Sequence, residues 1–287
     1  MIDPDRLMAE PLPRIEQTIG WRDCILYALG LGVGLDPLDE TDLPFVDERR
    51  LQVAPTMANV MGYPGFWMSE PRFGIDFEKT VHGEHAIRLH RPLPSEARVV
   101  GTSRITGLVD KGAGKGALIY VEREITDAAS GALLATVRQT VFCRGDGGFG
   151  GTRGEAPAAP AATPERAPDA TIDVPTSPQG ALIYRLSGDH NPLHFDPAAA
   201  RRAGFPGPIL HGLATFGVAG HGLVKALCGG APENLIAMGG RFSSPVYPGE
   251  TVRVEAWRSG GGRAAFRARV PARDVVVMSH GFVEVSA

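Results

Sequence analysis

Residues 211–227 read "HGLATFGVAGHGLVKAL". Leu213, Phe216, Gly217, Gly220, Val224 and Leu227 recur at i, i+3, i+4 and i+7 spacing, which predicts a helix with one apolar face. Its glycines would each weaken an isolated helix by about 1 kcal/mol. A helix that keeps them needs neighbours that approach its backbone closely. The segments that follow supply such neighbours. "TVRVEAW" (251–257), "AAFRARV" (264–270) and "VVVMSHGFVEV" (275–285) alternate apolar with polar residues, the period of half-buried strands. Together they predict an α+β fold in which a long antiparallel sheet curls around one buried helix.

The pattern occurs twice, faintly. "ARVVGTSRI" (97–105), "GALIYVEREI" (116–125) and "LLATVRQTVF" (133–142) are strand-like in the same way. Pro94-Ser95-Glu96 opens the first set as Pro248-Gly249-Glu250 opens the second. Upstream, Tyr27-Ala28-Leu29-Gly30 leads to Asp36-Pro37, and Tyr184-Arg185-Leu186-Ser187 leads to Asp196-Pro197. Between the halves, "GGTRGEAPAAPAATPERAPDA" (150–170) is rich in Ala, Pro and Gly without apolar period, so an extended linker is expected there. The expected units are 1–150 and 175–287, joined by 151–174.

Composition narrows the function classes. A net charge of −3 provides no basic field to recruit nucleic acid or an anionic membrane. No run approaches the length of a membrane span. "MIDPDRLMAEPLPR" at the start has no apolar targeting segment. Cys24, Cys143 and Cys228 are far apart and odd in number, so they read as reduced core thiols in a cytoplasmic protein. Only Lys79, Lys111, Lys115 and Lys225 are lysines, against 25 arginines, so single arginines carry little information.

The chemistry concentrates in "YRLSGDHNPLHFDPAAARRAGFPGPILHG" (184–212). Pro192 has no amide hydrogen and disfavours helix at Asn191, so Asp189 to His194 is expected as a turn or extended loop. Asp196-Pro197 reads as the cap and first residue of a short helix. His190 and His194 are four apart, but Asn191 replaces the Glu of a zinc helix and Pro192 breaks it, so no metal is expected. An Asx turn, with Asp189 and Asn191 bonding local backbone, is the plain alternative. "GLGVG" (30–34) and "GAGKG" (112–116) lack the spacing of nucleotide loops, and "GDGGFGG" (145–151) reads as the start of the linker.

The whole string resembles the D-x-N-P-[LIV]-H signature of the MaoC-like, type 2 enoyl-CoA hydratases. "ILYALGLGVG" (25–34), "VHGEHAIRLHRPLP" (81–94), "DKGAG" (110–114), "GGFGG" (147–151) and "RFSSPVYPGET" (241–251) resemble segments of the hydratase domain in type 2 peroxisomal multifunctional enzymes. The resemblance implies a double hotdog, two tandem sheets each curled around a helix, with a catalytically degenerate first half. "YALGLGVGLDP" (27–37) indeed has no counterpart to the Asp, Asn and His of the loop.

It implies reversible hydration of trans-2-enoyl-CoA to (3R)-3-hydroxyacyl-CoA, with CoA as part of the substrate and no separate cofactor. Asp189 and His194 would hold water and exchange protons, Asn191 would orient them, and the Gly212 amide would receive the thioester oxygen. His82, Gly83, Lys111 and Phe242 would contact the CoA thioester, and His190, Pro192 and Leu193 would also bind substrate, with the rim as the alternative place for His190. A homodimer is expected from the family. His211 reads as structural, Tyr184 as packing on a helix, and His85, His90, His221 and His280 are unassigned. Three alternatives remain open: a hotdog thioesterase, a non-catalytic acyl-CoA binder, and a dehydratase specialised for steroid side-chain, branched or dicarboxylic acyl-CoA.

Overall fold

The computed structural model describes residues 2–158 and 161–286; positions 159 and 160 of the expected linker lie outside them. The chain forms strands β1 (Arg14–Ile19), β2 (Thr80–Leu89), β3 (Ala97–Asp110), β4 (Ala117–Asp127), β5 (Leu133–Cys143), β6 (Thr152–Gly154), β7 (Ala170–Pro175), β8 (Leu235–Phe242), β9 (Thr251–Gly260), β10 (Arg263–Val270) and β11 (Val275–Val285). The α-helices are α1 (Pro4–Ala9), α2 (Trp21–Gly30), α3 (Gly180–Tyr184), α4 (Pro197–Arg202) and α5 (Gly212–Leu227).

All eleven strands join one sheet, in the order β1-β3-β4-β5-β2-β8-β11-β10-β9-β7, with β6 on β3. The first-half order β1-β3-β4-β5-β2 is mirrored by β7-β9-β10-β11-β8. The antiparallel β2–β8 pairing is the seam between them. There Glu84 lies opposite Arg241, and one carboxylate oxygen accepts from Arg241 Nε and Nη2 at 3.0 and 2.7 Å. The ends of the expected linker are not extended coil: Thr152–Gly154 and Ala170–Pro175 are strands.

Strand β10 shows how pattern sets the fold. Ala264, Phe266, Ala268 and Val270 are buried, and the arginines between them point away. Helix α5 goes beyond the single apolar face expected of it. Every residue from Ala214 to Val224 is buried, the condition of a helix enclosed on all sides. Its glycines admit the enclosure. A Cβ on Gly217 would stand 2.5 Å from Leu31 Cδ2, and one on Gly220 would stand 2.6 Å from Thr56 Cγ2.

In the first half the element at the centre of the sheet is shorter than α5. The corresponding core segment is a single 3-10 turn, Pro55–Asn59, buried throughout. Gly62, in a left-handed conformation (φ 55), and Pro64 end any helix there before it can lengthen.

Helices α2 and α3 pack together through Tyr27 and Tyr184, whose ring centroids are 5.6 Å apart, so Tyr184 packs on a helix as expected. All three cysteines are buried free thiols. Among the described residues, no helix is long and apolar enough to cross a membrane.

Candidate active site

The loop between α3 and α4 is built from its own backbone bonds. Asp189 Oδ1 accepts the Asn191 N–H at 3.1 Å, and Asn191 Oδ1 accepts the Leu193 N–H at 3.0 Å. The Asx turning is therefore real, and it fixes the side chains. Asn191 caps a single 3-10 turn, Pro192–His194, rather than leading into an extended loop. Pro192 sits at the first position of that turn, where a missing N–H costs nothing. Asp196 then caps α4, accepting the Ala198 N–H at 2.8 Å, as the sequence predicts.

His194 is buried, with Nδ1 2.9 Å from the Ile209 carbonyl. A carbonyl only accepts, so Nδ1 carries the proton and Nε2 keeps its lone pair. His211 Nε2 lies 3.2 Å from the Asp189 backbone carbonyl and donates to it by the same logic. Ligating atoms of Asp189, His194 and His211 lie within 4.8 Å of one another. The two imidazoles are stacked on one another. Burial pushes His194 below its ordinary value, against the opposing pull of the Ile209 bond and of Asp189. Burial, and then His194, holds His211 down at about 3. Both rings are neutral at pH 7.

Beside this loop opens a cavity of about 760 Å³. His82, Gly83, Lys111, Phe242 and Gly212 all line it. Gly212 is the first residue of α5, where the amides of the first turn have no helical acceptor and the dipole is positive. Phe242 packs edge to face on His82 with centroids 5.0 Å apart. Lys111, Arg144 and Arg241 give the mouth its positive charge, Arg241 being paired with Glu84.

The structure does not bring His190, Pro192 or Leu193 to this lining; His190 and Pro192 are exposed. Asp189, Asn191 and His194 stand behind its wall. Ile209 and Gly212 belong to that wall, and Ile209 anchors His194.

Comparison with known proteins gives the same picture along the whole chain. Residues 18–145 match the model described as MFE-2 hydratase 2 N-terminal domain, and residues 160–279 match the MaoC like domain. The chain is 44% identical to 3-hydroxyacyl-thioester dehydratase Y of Mycobacterium tuberculosis, covering 100% of this chain and 99% of that one. The chain belongs to the MaoC-like, type 2 enoyl-CoA hydratase family. It is also 38% identical to the peroxisomal enoyl-CoA hydratase 2 of Arabidopsis thaliana, over 98% of this chain and 94% of that one. The crystal structure of a MaoC-like dehydratase from Phytophthora capsici superposes with a TM-score of 0.86, at 32% identity and 98% coverage of both chains. The fold is accordingly the double hotdog.

This MaoC-like chain also holds candidate residues that its signature does not reveal. His85 Nδ1 is 3.1 Å from His82 Nε2, and His85 Nε2 is 2.9 Å from Asn59 Oδ1. Residues three apart on a strand normally face opposite sides. Here a bulge at Gly83 brings His82 and His85 to one side. Burial holds His82 at about 4 and pulls His85 well below its ordinary value.

Tyr63, from the first half, lies close enough to feel the Asp189 charge. Burial and then the Asp189 charge push its phenol up to about 12. The Asp110 carboxylate accepts the amides of Gly112, Gly148 and Gly150 at 2.7, 2.9 and 2.6 Å. The "GDGGFGG" stretch is thus a folded loop beside Lys111, and not the start of a linker.

Proposed function

We propose that this protein adds water reversibly to trans-2-enoyl-CoA thioesters, giving (3R)-3-hydroxyacyl-CoA. The observation that carries this reading is the convergence of the Asp189 carboxylate and the His194 ring within 4.8 Å, beside the exposed first amides of α5. Two acceptors so placed can each take one O–H of a water molecule. Its oxygen lone pairs are then turned toward the β-carbon of a bound enoyl thioester. As the oxygen bonds to that carbon, one water proton passes to the pair, and the pair then hands that same proton to the α-carbon. The Gly212 N–H donates to the thioester oxygen as negative charge builds there. The atoms balance with water alone, so CoA enters as part of the substrate and no separate cofactor takes part. Relatives named enoyl-CoA hydratase and 3-hydroxyacyl-thioester dehydratase support this assignment.

Lys111 and Arg144 at the mouth suit the phosphates of CoA, and His82, Gly83 and Phe242 suit the pantetheine end near the thioester. Exposed Leu29, Leu182 and Leu186, on and beside the adjoining helices α2 and α3, support association into a homodimer. The buried free thiols suit a reducing, cytoplasmic location.

The deciding experiment follows loss of enoyl absorbance with crotonyl-CoA and longer enoyl-CoAs, with thiol release and product chirality measured in parallel. Thiol release without hydration, or an S product, would overturn the proposal.

A further inference from the structure

Strand β4 turns Ile119, Val121, Arg123 and Ile125 inward. Three are apolar; the fourth is an arginine that is only 5 % exposed. Its Nη2 donates to the carbonyls of Ala58 and Asn59 at 3.0 and 2.7 Å, and among the described residues no carboxylate pairs with it. Its Nε has no partner.

One neighbour is in the same condition. Ser103 is its cross-strand partner on β3, and Ser103 Oγ is buried without a partner. Asn59 Nδ2 and Tyr184 Oη are also buried, with the Tyr27 hydroxyl as the acceptor beside them. Tyr184 belongs here because it packs on Tyr27, whose hydroxyl bonds Thr56 in the same 3-10 turn that Arg123 caps. All four of these atoms can donate. A guanidinium cannot shed its proton to escape burial. Burial brings Arg123 down to about 10, which leaves it charged at neutral pH. Capping one turn accounts for Nη2, and among the described residues it leaves Arg123 Nε and Ser103 Oγ without an acceptor.

The cluster adjoins the reaction centre. The Arg123 guanidinium lies over the Tyr63 ring at 5.5 Å, and Tyr184 packs on His211 with centroids 4.9 Å apart, the ring that stacks on His194. A group that reached Arg123 from the reaction centre would be carried on the acyl chain.

We propose that Arg123, with Asn59, Ser103 and Tyr184, forms a subsite for a carboxylate carried on the acyl chain. The preferred substrates are then CoA thioesters of 2-enoic acids that bear a second carboxyl group. This rests on the hydratase reading above. A plain alkyl chain would leave Arg123 Nε and the Ser103 hydroxyl without an acceptor, which is how a site built for a polar group rejects the analogue that lacks it.

The test compares monoCoA thioesters of trans-2-enedioic acids of six, eight and ten carbons with plain trans-2-enoyl-CoAs of the same lengths. For the wild type, kcat/KM should favour the carboxylated member by about 10-fold or more at one length at least. Arg123→Met should lower that ratio by about 100-fold, and Arg123→Lys should lower it less. A plain substrate preferred at every length, or a ratio that Arg123→Met leaves unmoved, would reduce Arg123 to a cap of the 55–59 turn and overturn the subsite. Should Arg123→Met fail to fold, Ser103→Ala keeps the cap and should still lower the ratio by about 10-fold; an unmoved ratio there counts equally against the subsite. Hydration of neither series by the wild type would overturn the hydratase reading itself, whereas hydration of the plain series alone overturns only the subsite.

Discussion

The imidazoles of His194 and His211 lie face to face, with centroids 3.8 Å apart and planes inclined by 28°. Two imidazolium ions cannot share that geometry inside the fold, so both rings are kept neutral. His82 and His85 form a second buried neutral pair. Each of these histidines has its folded value below the ordinary 6.5. The unfolded chain therefore binds more protons as pH falls through 6.5, and stability present above that pH is lost on the way down to about 4 for His82 and about 3 for His211. Carboxylates held low by partners lose their contribution only below about pH 4. We expect Tm to fall by roughly 5 °C or more between pH 7.5 and pH 4.5. His211→Phe, which keeps the stack and removes the titration, should flatten the slope. Thermal melts across this range check it, and a flat wild-type Tm would sink the account.

Gly220 sets helix propensity against packing. Alanine in a helix is worth about 1 kcal/mol over glycine. A Cβ there would stand 2.6 Å from Thr56 Cγ2 and 3.0 Å from Met238 Sδ, and Thr56 is stiff and 2 % exposed. Overpacking of that kind costs about 1–3 kcal/mol, so packing should win. Gly220→Ala should lower the urea midpoint; an unchanged or raised midpoint would mean that the sheet around α5 yields more easily than its contacts indicate.

Lys111 and Asp110 should act on binding, not on chemistry. Hydrogen bonds from Gly148, Gly150 and Gly112 hold the Asp110 carboxyl below its usual range and shape the loop that carries Lys111. Lys111→Ala and Asp110→Ala should each raise KM for an enoyl-CoA by about 10-fold with kcat nearly intact, as for an interaction made equally in ground and transition states. Steady-state kinetics with an enoyl thioester of N-acetylcysteamine, which lacks the CoA phosphates, should show neither effect. A parallel loss with that substrate would place the damage at the reaction centre.

How much of this was legible in the sequence depended on whether local pattern or tertiary approach decides each feature. The α5 segment and the alternation of "AAFRARV" specify their elements, because burial period and chain period coincide. The 184–212 stretch announces its chemistry through Asp189, Asn191 and His194, and their turn bonding is local. His85 was not legible, because only the bulge at Gly83 brings it beside His82. Asp110 was obscured because two of the three hydrogen bonds it accepts come from 38 and 40 residues along the chain. Arg123 did leave a signal: in "ALIYVEREITD" it stands at an inward position of the alternation, where its neighbours are Val121 and Ile125. An arginine-rich composition concealed it. The brevity of the first half's central turn follows from Gly62 and Pro64, which leave few residues after Pro55 for a helix.

Asp189 and His194 should behave as one device. Each accepts from the same water in the proposed chemistry, so removing either removes most of what the pair does. Asp189→Ala and His194→Ala should each lower kcat by about 100-fold or more, the usual contribution of a positioned acid–base group. Their effect on KM should be small, since the lining of the cavity holds the CoA ester without them. The double variant should lose far less than the product of the two single losses. Asn191→Ala removes the cap of the Pro192–His194 turn and should cost about 10-fold in kcat through misplacement of His194. Asp189→Asn is the sharpest probe, because it keeps the shape and the acceptor for the Asn191 N–H while removing the negative charge. A folded Asp189→Asn variant that hydrated crotonyl-CoA or a longer enoyl-CoA at the wild-type rate would show that the proton is handled elsewhere, and that this loop is a turn and no more.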